Sequence, residues 1–200
     1  MKKRIAEIKR KTKETDITVK LNIDGTGKSS INTGIGILDH MLELFTFHGL
    51  FDLEITAKGD LKVDIHHTNE DIGIVLGETF KKALGDKKGI RRFGSASVPM
   101  EEVVANITVD ISGRGWYRPD SAGIRAGEKD GYRFDDAEHF FESFAKNLGM
   151  NLNIKVDHPI MSLLHTTLEP VFKALGIALD QATQIDPRRK GIPSTKGVID

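Results

Sequence analysis

The chain has 200 residues, 38% hydrophobic and 29% charged, enough for one compact domain or two small fused units. Lys plus Arg balances Asp plus Glu at 29 each, so no global field recruits nucleic acid or an acidic membrane; a charged ligand needs a local cluster. There is no Cys, which excludes disulfides, thiolate metal sites and a Cys nucleophile. The segment MKKRIAEIKRKTKE lacks an apolar signal core and no run is long enough to span a bilayer, so a soluble cytoplasmic protein is expected.

In chain order, Ile17 to Ile23 alternates as a strand, Asp24-Gly25-Thr26-Gly27 turns, and Ser29 to Asn32 returns as a hairpin partner. Gly25-Thr26-Gly27-Lys28-Ser29 looks like the end of a phosphate-binding P-loop. Position 22 is Asn rather than the required Gly, and strands flank the segment, so it reads as a turn. A helix is predicted from about Leu38, with Phe47 near its end and Gly49 as its stop. A strand from Phe51 to Ala57 and a helix from about Asp64 to Leu84, closed by Gly85, follow. Later come a strand at Val103 to Ile111, a helix at Asp135 to Leu148 with Gly149, a strand at Met150 to Val156, and a helix from about Ser162 to Thr183. Residues 186–200 read as an extended tail. Strands precede helices twice, which predicts an α+β fold with helices packed on antiparallel sheets.

The chain repeats itself. A shift of 99 positions aligns two halves without a gap and gives eleven identities between 40 and 83, where average usage predicts roughly three. His40 falls on His139, Phe45 on Phe144, His66 on His165, Thr68 on Thr167, Glu70 on Glu169 and Gly77 on Gly176. Ala6 with Ala105 and Ile8 with Ile107 extend the match weakly upstream. The expected organisation is a first half at 1–93, a second at 94–185 and a tail at 186–200, the halves packing as one unit.

On a helix, His66 and His67 share a face with Glu70. Neutral imidazole and carboxylate without sulfur suit Mn, Fe, Co or Zn. The repeat adds His165 and Glu169 at the same spacing, and His40 and His139 give one imidazole per half from the preceding helices. A lone helical His is more often a surface or satisfied core residue; the repeated combination favours a metal. Asp39 and Glu138 stand next to the last two and are expected to orient their rings. His48 and His158 have no counterpart and read as unremarked structural residues. Arg92, Arg114, Lys173, Ser194 and Lys196 are candidates for an anion site, since Arg forks, Lys charges and a Ser hydroxyl suit a phosphate monoester.

At these residues the sequence resembles a known family. Gly34-Ile35-Gly36-Ile37-Leu38-Asp39-His40-Met41-Leu42, His66-His67-Thr68-Asn69-Glu70-Asp71, Asp110-Ile111-Ser112-Gly113-Arg114, Glu138-His139-Phe140-Phe141 and Pro193-Ser194-Thr195-Lys196-Gly197-Val198 look like signature segments of imidazoleglycerol-phosphate dehydratase. Arg10-Lys11-Thr12-Lys13-Glu14-Thr15 looks like its N-terminal signature. The resemblance implies a duplicated α+β unit with helices between two sheets, a homo-oligomer of 24 subunits, and two Mn2+ per active site at subunit contacts. It implies dehydration of imidazole glycerol phosphate to imidazole acetol phosphate in histidine biosynthesis. By position, His40, His66, His67, Glu70, His139, His165 and Glu169 match metal ligands. Arg92, Arg114, Lys173, Ser194 and Lys196 match phosphate-binding residues, and Glu14 matches an acid in the substrate site. Glu14 is the candidate general acid/base, with His40, His67 and Glu70 in the catalytic centre.

One departure is plain. The family's second His-His-x-x-Glu reads His165-Thr166-Thr167-Leu168-Glu169 here, so Thr166 stands in the slot of His67 and one metal site is expected to be weakened. His158 is the nearest spare imidazole in sequence. Two other classes fit parts of the pattern: a metal-dependent phosphate-ester hydrolase, and a metal-binding or shell-forming protein without catalysis. Retention of Glu14 and the phosphate set favours the dehydratase.

Overall fold

Alternation builds two sheets in a computed structural model that describes residues 3–120, 126–157 and 162–199. The first half runs β1 (Ile5–Lys11), β2 (Thr15–Asn22), β3 (Ser29–Asn32), α1 (Gly36–Gly49), β4 (Asp52–Gly59) and α2 (His66–Leu84). The second runs β5 (Phe93–Met100), β6 (Val103–Asp110), β7 (Trp116–Asp120), β8 (Glu128–Lys129), β9 (Tyr132–Arg133), α3 (Phe134–Leu148), β10 (Asn151–Asp157) and α4 (Leu164–Thr183). Ile17, Val19 and Leu21 point inward opposite Ala57, Ile55 and Leu53. Ala105, Ile107 and Val109 do the same opposite Val156, Ile154 and Leu152. The helices fill the space between the sheets: α2 lies on the first and α4 on the second, while α2 packs on α3 and α1 on α4. Each half's long helix thus pairs with the other half's short one, and a single apolar cluster spans both. Cutting between the halves would expose the faces of both helix pairs.

The two sheets share one order, β1-β2-β4-β3 and β5-β6-β10-β7. Three strands of each are antiparallel, as expected from the alternation, and the fourth runs parallel to its neighbour. The hairpin expected between Ile17–Ile23 and Ser29–Asn32 does not form, because β3 pairs with β4, Ile31 lying opposite Ile55. The intervening turn is too long for a tight hairpin and is tied to the start of β4. Gly27 N–H donates to Phe51 O at 3.0 Å and Thr26 N–H to an Asp52 carboxylate oxygen at 2.8 Å. The chain is carried across β4 to the far edge of the sheet.

Strand pairing also corrects the upstream repeat. Val19 faces Ile55 and Ile107 faces Ile154, so with Ile55 and Ile154 equivalent, Val19 corresponds to Ile107 at a shift of 88. Ile8 corresponds to Ala96 by the same reasoning, and the matches of Ala6 with Ala105 and Ile8 with Ile107 are fortuitous. The shift is 88 through β7 and 99 from α3 onward. The difference is an eleven-residue insertion that carries β8 and β9. Glu14 therefore has Glu102 as its counterpart, not Gly113.

Candidate active site

Contacts advance together along each helix pair, so both pairs are parallel and bring two N-terminal ends side by side. In one, His40 meets His165 and Glu169, and farther along Phe45 and Gly49 meet Gly176. In the other, His66 meets His139, then Gly73 meets Phe140 and Gly77 meets Phe144. The histidines fall in the first turns of α2 and α4 and one turn into α1 and α3. Each helix pair therefore offers imidazoles from two elements on one surface.

In the α1–α4 pair, His40 Nε2 lies 3.2 Å and His165 Nε2 2.5 Å from the same oxygen of Glu169. One ligand atom from each residue lies within 4.8 Å of the others. The imidazole planes of His40 and His165 are parallel to within 4°. Lys173 takes the other Glu169 oxygen at 2.5 Å. Burial pushes the Glu169 carboxyl up, but the bonds from Lys173 and His40 outweigh it and hold the group below the ordinary range. His48 belongs to this strip, two turns beyond His40; burial first, then the Lys173 ammonium, lowers its proton affinity.

In the α2–α3 pair, His66 and His139 rings are 5.1 Å apart and His66 Nε2 is 3.4 Å from Glu70. His67 turns to another set: Asp60 Oδ2 at 3.0 Å and Glu14 Oε2 at 3.8 Å from its Nδ1. The hydrogen bond to Asp60 raises the His67 proton affinity, with Glu14 adding to it. Glu14 is brought there by the β1–β2 turn, where the Thr12 hydroxyl accepts the N–H groups of Glu14 and Thr15. Asp71, buried one residue past Glu70, holds this turn against α2: it accepts Arg10 Nε at 2.9 Å and the Thr15 hydroxyl at 2.5 Å. The insertion reaches the same helix, since the buried Tyr132 hydroxyl donates to Asn69.

The phosphate candidates divide into two places. Arg92 makes a forked bond to Asp110, at 2.6 and 3.0 Å, and donates to Pro193 O at 3.0 Å, which anchors the segment carrying Ser194 and Lys196. Arg92 O accepts Ile111 N–H, so the turn that carries Arg114 is alongside. Arg92 N–H bonds Ala182 O near the far end of α4, nine residues beyond Lys173. At 1.5 Å of rise per residue that is about 13 Å. Lys173 is thus with Glu169, not with the Arg92 group, in one copy of the chain.

Other expectations change. Asp39 does not orient His40; its carboxylate accepts the N–H and hydroxyl of Thr33 and closes the turn before α1. His158 lies outside the described residues. Asp60, Asp71 and Arg10 were not singled out from the sequence. Nothing in periodicity marks them, since their partners come from distant elements.

A family model described as imidazoleglycerol-phosphate dehydratase matches residues 33–179. The chain belongs to that family. The enzyme of that name from Thermoanaerobacter sp. (strain X514) is 53% identical over 98% of this chain and 100% of its own. That from Trichlorobacter lovleyi is 51% identical over 98% and 100%. The crystal structure of the Staphylococcus aureus dehydratase superposes with a TM-score of 0.80 at 34% identity, covering 91% of this chain and 99% of that one. The Pyrococcus furiosus structure, in complex with (S)-C348, gives 0.81 at 37%, covering 96% and 99%. Family membership thus covers both helix pairs and both sheets.

Proposed function

We propose that the chain dehydrates imidazole glycerol phosphate to imidazole acetol phosphate in histidine biosynthesis, as a cytoplasmic, Mn2+-dependent hydro-lyase. Membership of the dehydratase family supports the reaction. The observation that carries the metal is the convergence of His40, His165 and Glu169 within 4.8 Å. Two neutral nitrogen donors and one carboxylate, so close, fit a divalent transition ion. His66, Glu70 and His139 would hold a second ion, with His67 beside them facing Asp60 and Glu14. Thr166 offers no imidazole in the place that His67 holds in the first half.

The product's name fixes which bonds change. Acetol phosphate carries its ketone on the middle carbon, so the departing hydroxyl is on the carbon bonded to imidazole. The proton lost comes from the middle carbon, and the resulting enol becomes the ketone by taking a proton at the ring-bearing carbon. A divalent ion held by these imidazoles and carboxylates would supply electrostatic stabilisation of negative charge developing on the substrate ring as hydroxide departs. Glu14, half exposed beside His67, is the group we assign to accept the carbon-bound proton and return one. Arg114, Ser194 and Lys196, with the Arg92 anchor, grip the phosphate and orient the reacting carbons.

Because Lys173 and the Arg92 group are apart in one chain, a full phosphate grip needs residues from more than one copy. That supports a homo-oligomer, for which we propose 24 subunits with two Mn2+ per active site. The test is Mn2+ per subunit after reconstitution, run with turnover of imidazole glycerol phosphate. Two ions with turnover support the reading. No turnover at any metal loading sinks the dehydratase assignment, and turnover at one ion per subunit sinks the two-metal form.

A further inference from the structure

Asp60 follows the last residue of β4 and is pressed against the first turn of α2. A β-carbon on the preceding Gly59 would lie 1.8 Å from the Thr68 hydroxyl, so only glycine lets the strand end approach so closely. This delivers the Asp60 carboxylate to His67 Nδ1 at 3.0 Å. Neighbouring aspartates do something different. Asp39, Asp52 and Asp64 each accept a backbone N–H and so shape the turn that carries them. Asp60 accepts an imidazole instead, and its other oxygen is buried with no partner. A buried carboxylate oxygen without a donor calls for an explanation beyond loop structure.

The repeat supplies an independent observation. In the gap-free 99-residue register, Asp60 falls on Pro159 and His67 on Thr166, while His66, Thr68 and Glu70 are all kept. The carboxylate is absent from the half in which this imidazole is absent.

We propose that Asp60 is a positioning residue that accepts the Nδ1–H of His67 and thereby fixes its tautomer, leaving Nε2 as the unprotonated atom presented to metal or substrate. This rests on the reading of His67 as a site residue. It also explains Glu14: with Nδ1 engaged by Asp60, the Glu14 carboxylate at 3.8 Å is left free to exchange protons with substrate.

The test uses the assembled protein, labelled with 15N-histidine and kept metal-free at pH 8.5, in magic-angle-spinning NMR. His67 is assigned by its loss in His67→Gln. Wild type should show a protonated Nδ1 and an unprotonated Nε2 for His67. Asp60→Ala should shift the ring toward the Nε2–H form that an unconstrained histidine side chain prefers. Its Mn2+ affinity, read from the EPR signal of free Mn2+, should fall about 10–100-fold. Asp60→Leu keeps a side chain of similar length with no acceptor, and it should move both readouts the same way if the alanine variant does not assemble. An unchanged His67 tautomer in a folded Asp60 variant overturns the proposal. Unchanged Mn2+ binding in His67→Gln instead overturns the metal reading of His67, and the tautomer result separates the two failures.

Discussion

Gly176 of α4 packs so closely on Phe45 of α1 that a β-carbon built on it would lie 2.4 Å from the Phe45 carbonyl oxygen. Gly77 of α2 stands in the same relation to Phe144 of α3, at 2.7 Å. Both residues of the second contact are related to the first by the 99-residue shift. The close approach is backbone against backbone, so a methyl group cannot be absorbed by a side chain turning aside. Gly176→Ala and Gly77→Ala should each gain about 1 kcal/mol of helix propensity yet lose about 2–3 kcal/mol net by forcing a helix pair apart. Thermal denaturation of the metal-free protein checks this. A neutral or stabilising result at both positions would mean the pairs are not held at this distance.

The same pair shows what sequence could reveal. The matched His, Glu, Phe and Gly positions disclosed the duplication and the two helices that carry His66 with Glu70 and His165 with Glu169, because their spacing is local to each helix. The swap of partners between halves, α1 with α4 and α2 with α3, was not legible, because it depends on packing between distant elements. β1 and β5 were missed for another reason. β1 is a charged edge strand and β5 alternates between half-buried and exposed rather than apolar and polar, so neither carries a strong period-two signal. The Asp60–His67 and Asp71–Arg10 contacts likewise join residues with no sequence spacing to read.

Leu50 occupies a left-handed conformation, φ 56°, where the other half has Gly149 at φ 81°. Both residues end a short helix, and at Leu50 the β-carbon is strained. The side chain is 54% exposed, so little burial offsets the strain. Leu50→Gly should stabilise the protein by about 0.5–1 kcal/mol, after the added freedom of glycine in the unfolded chain is counted. Leu50→Ala keeps the strained β-carbon and should not gain. An equal gain in both variants would trace the effect to the exposed side chain rather than to φ.

The turn that mimics a P-loop is closed on a carboxylate. Asp52 accepts the N–H groups of Thr26 and Lys28, and these bonds, led by Thr26, hold its carboxyl below the ordinary range. A depressed folded-state value means the contribution is present above the ordinary carboxylate pKa and is lost as pH falls through the folded value. Asp52→Ala should therefore cost about 1 kcal/mol near neutrality, a figure reduced for the group's partial exposure. The gap between variant and wild type should narrow as pH drops below about 4, where the carboxyl begins to protonate. Melting temperatures from neutral pH downward would show it, and a gap independent of pH would assign the loss to packing.

Thr166 and Pro170 lie one helical turn apart in α4, on either side of Glu169. Pro170 has no N–H, so the Thr166 carbonyl lacks its helical donor. Pro170→Ala should restore that bond and stabilise α4 by about 1–3 kcal/mol. It adds no ligand, so Mn2+ uptake should be unchanged. Thr166→His adds an imidazole where the repeat places His67, three residues before Glu169. It should raise Mn2+ affinity at the Glu169 site by about 10-fold or more, at some cost in stability because Thr166 is buried. Measuring metal and melting temperature for both variants separates ligation from helix repair. If Pro170→Ala raises Mn2+ uptake and Thr166→His does not, the half-site is limited by the course of α4 rather than by the missing imidazole.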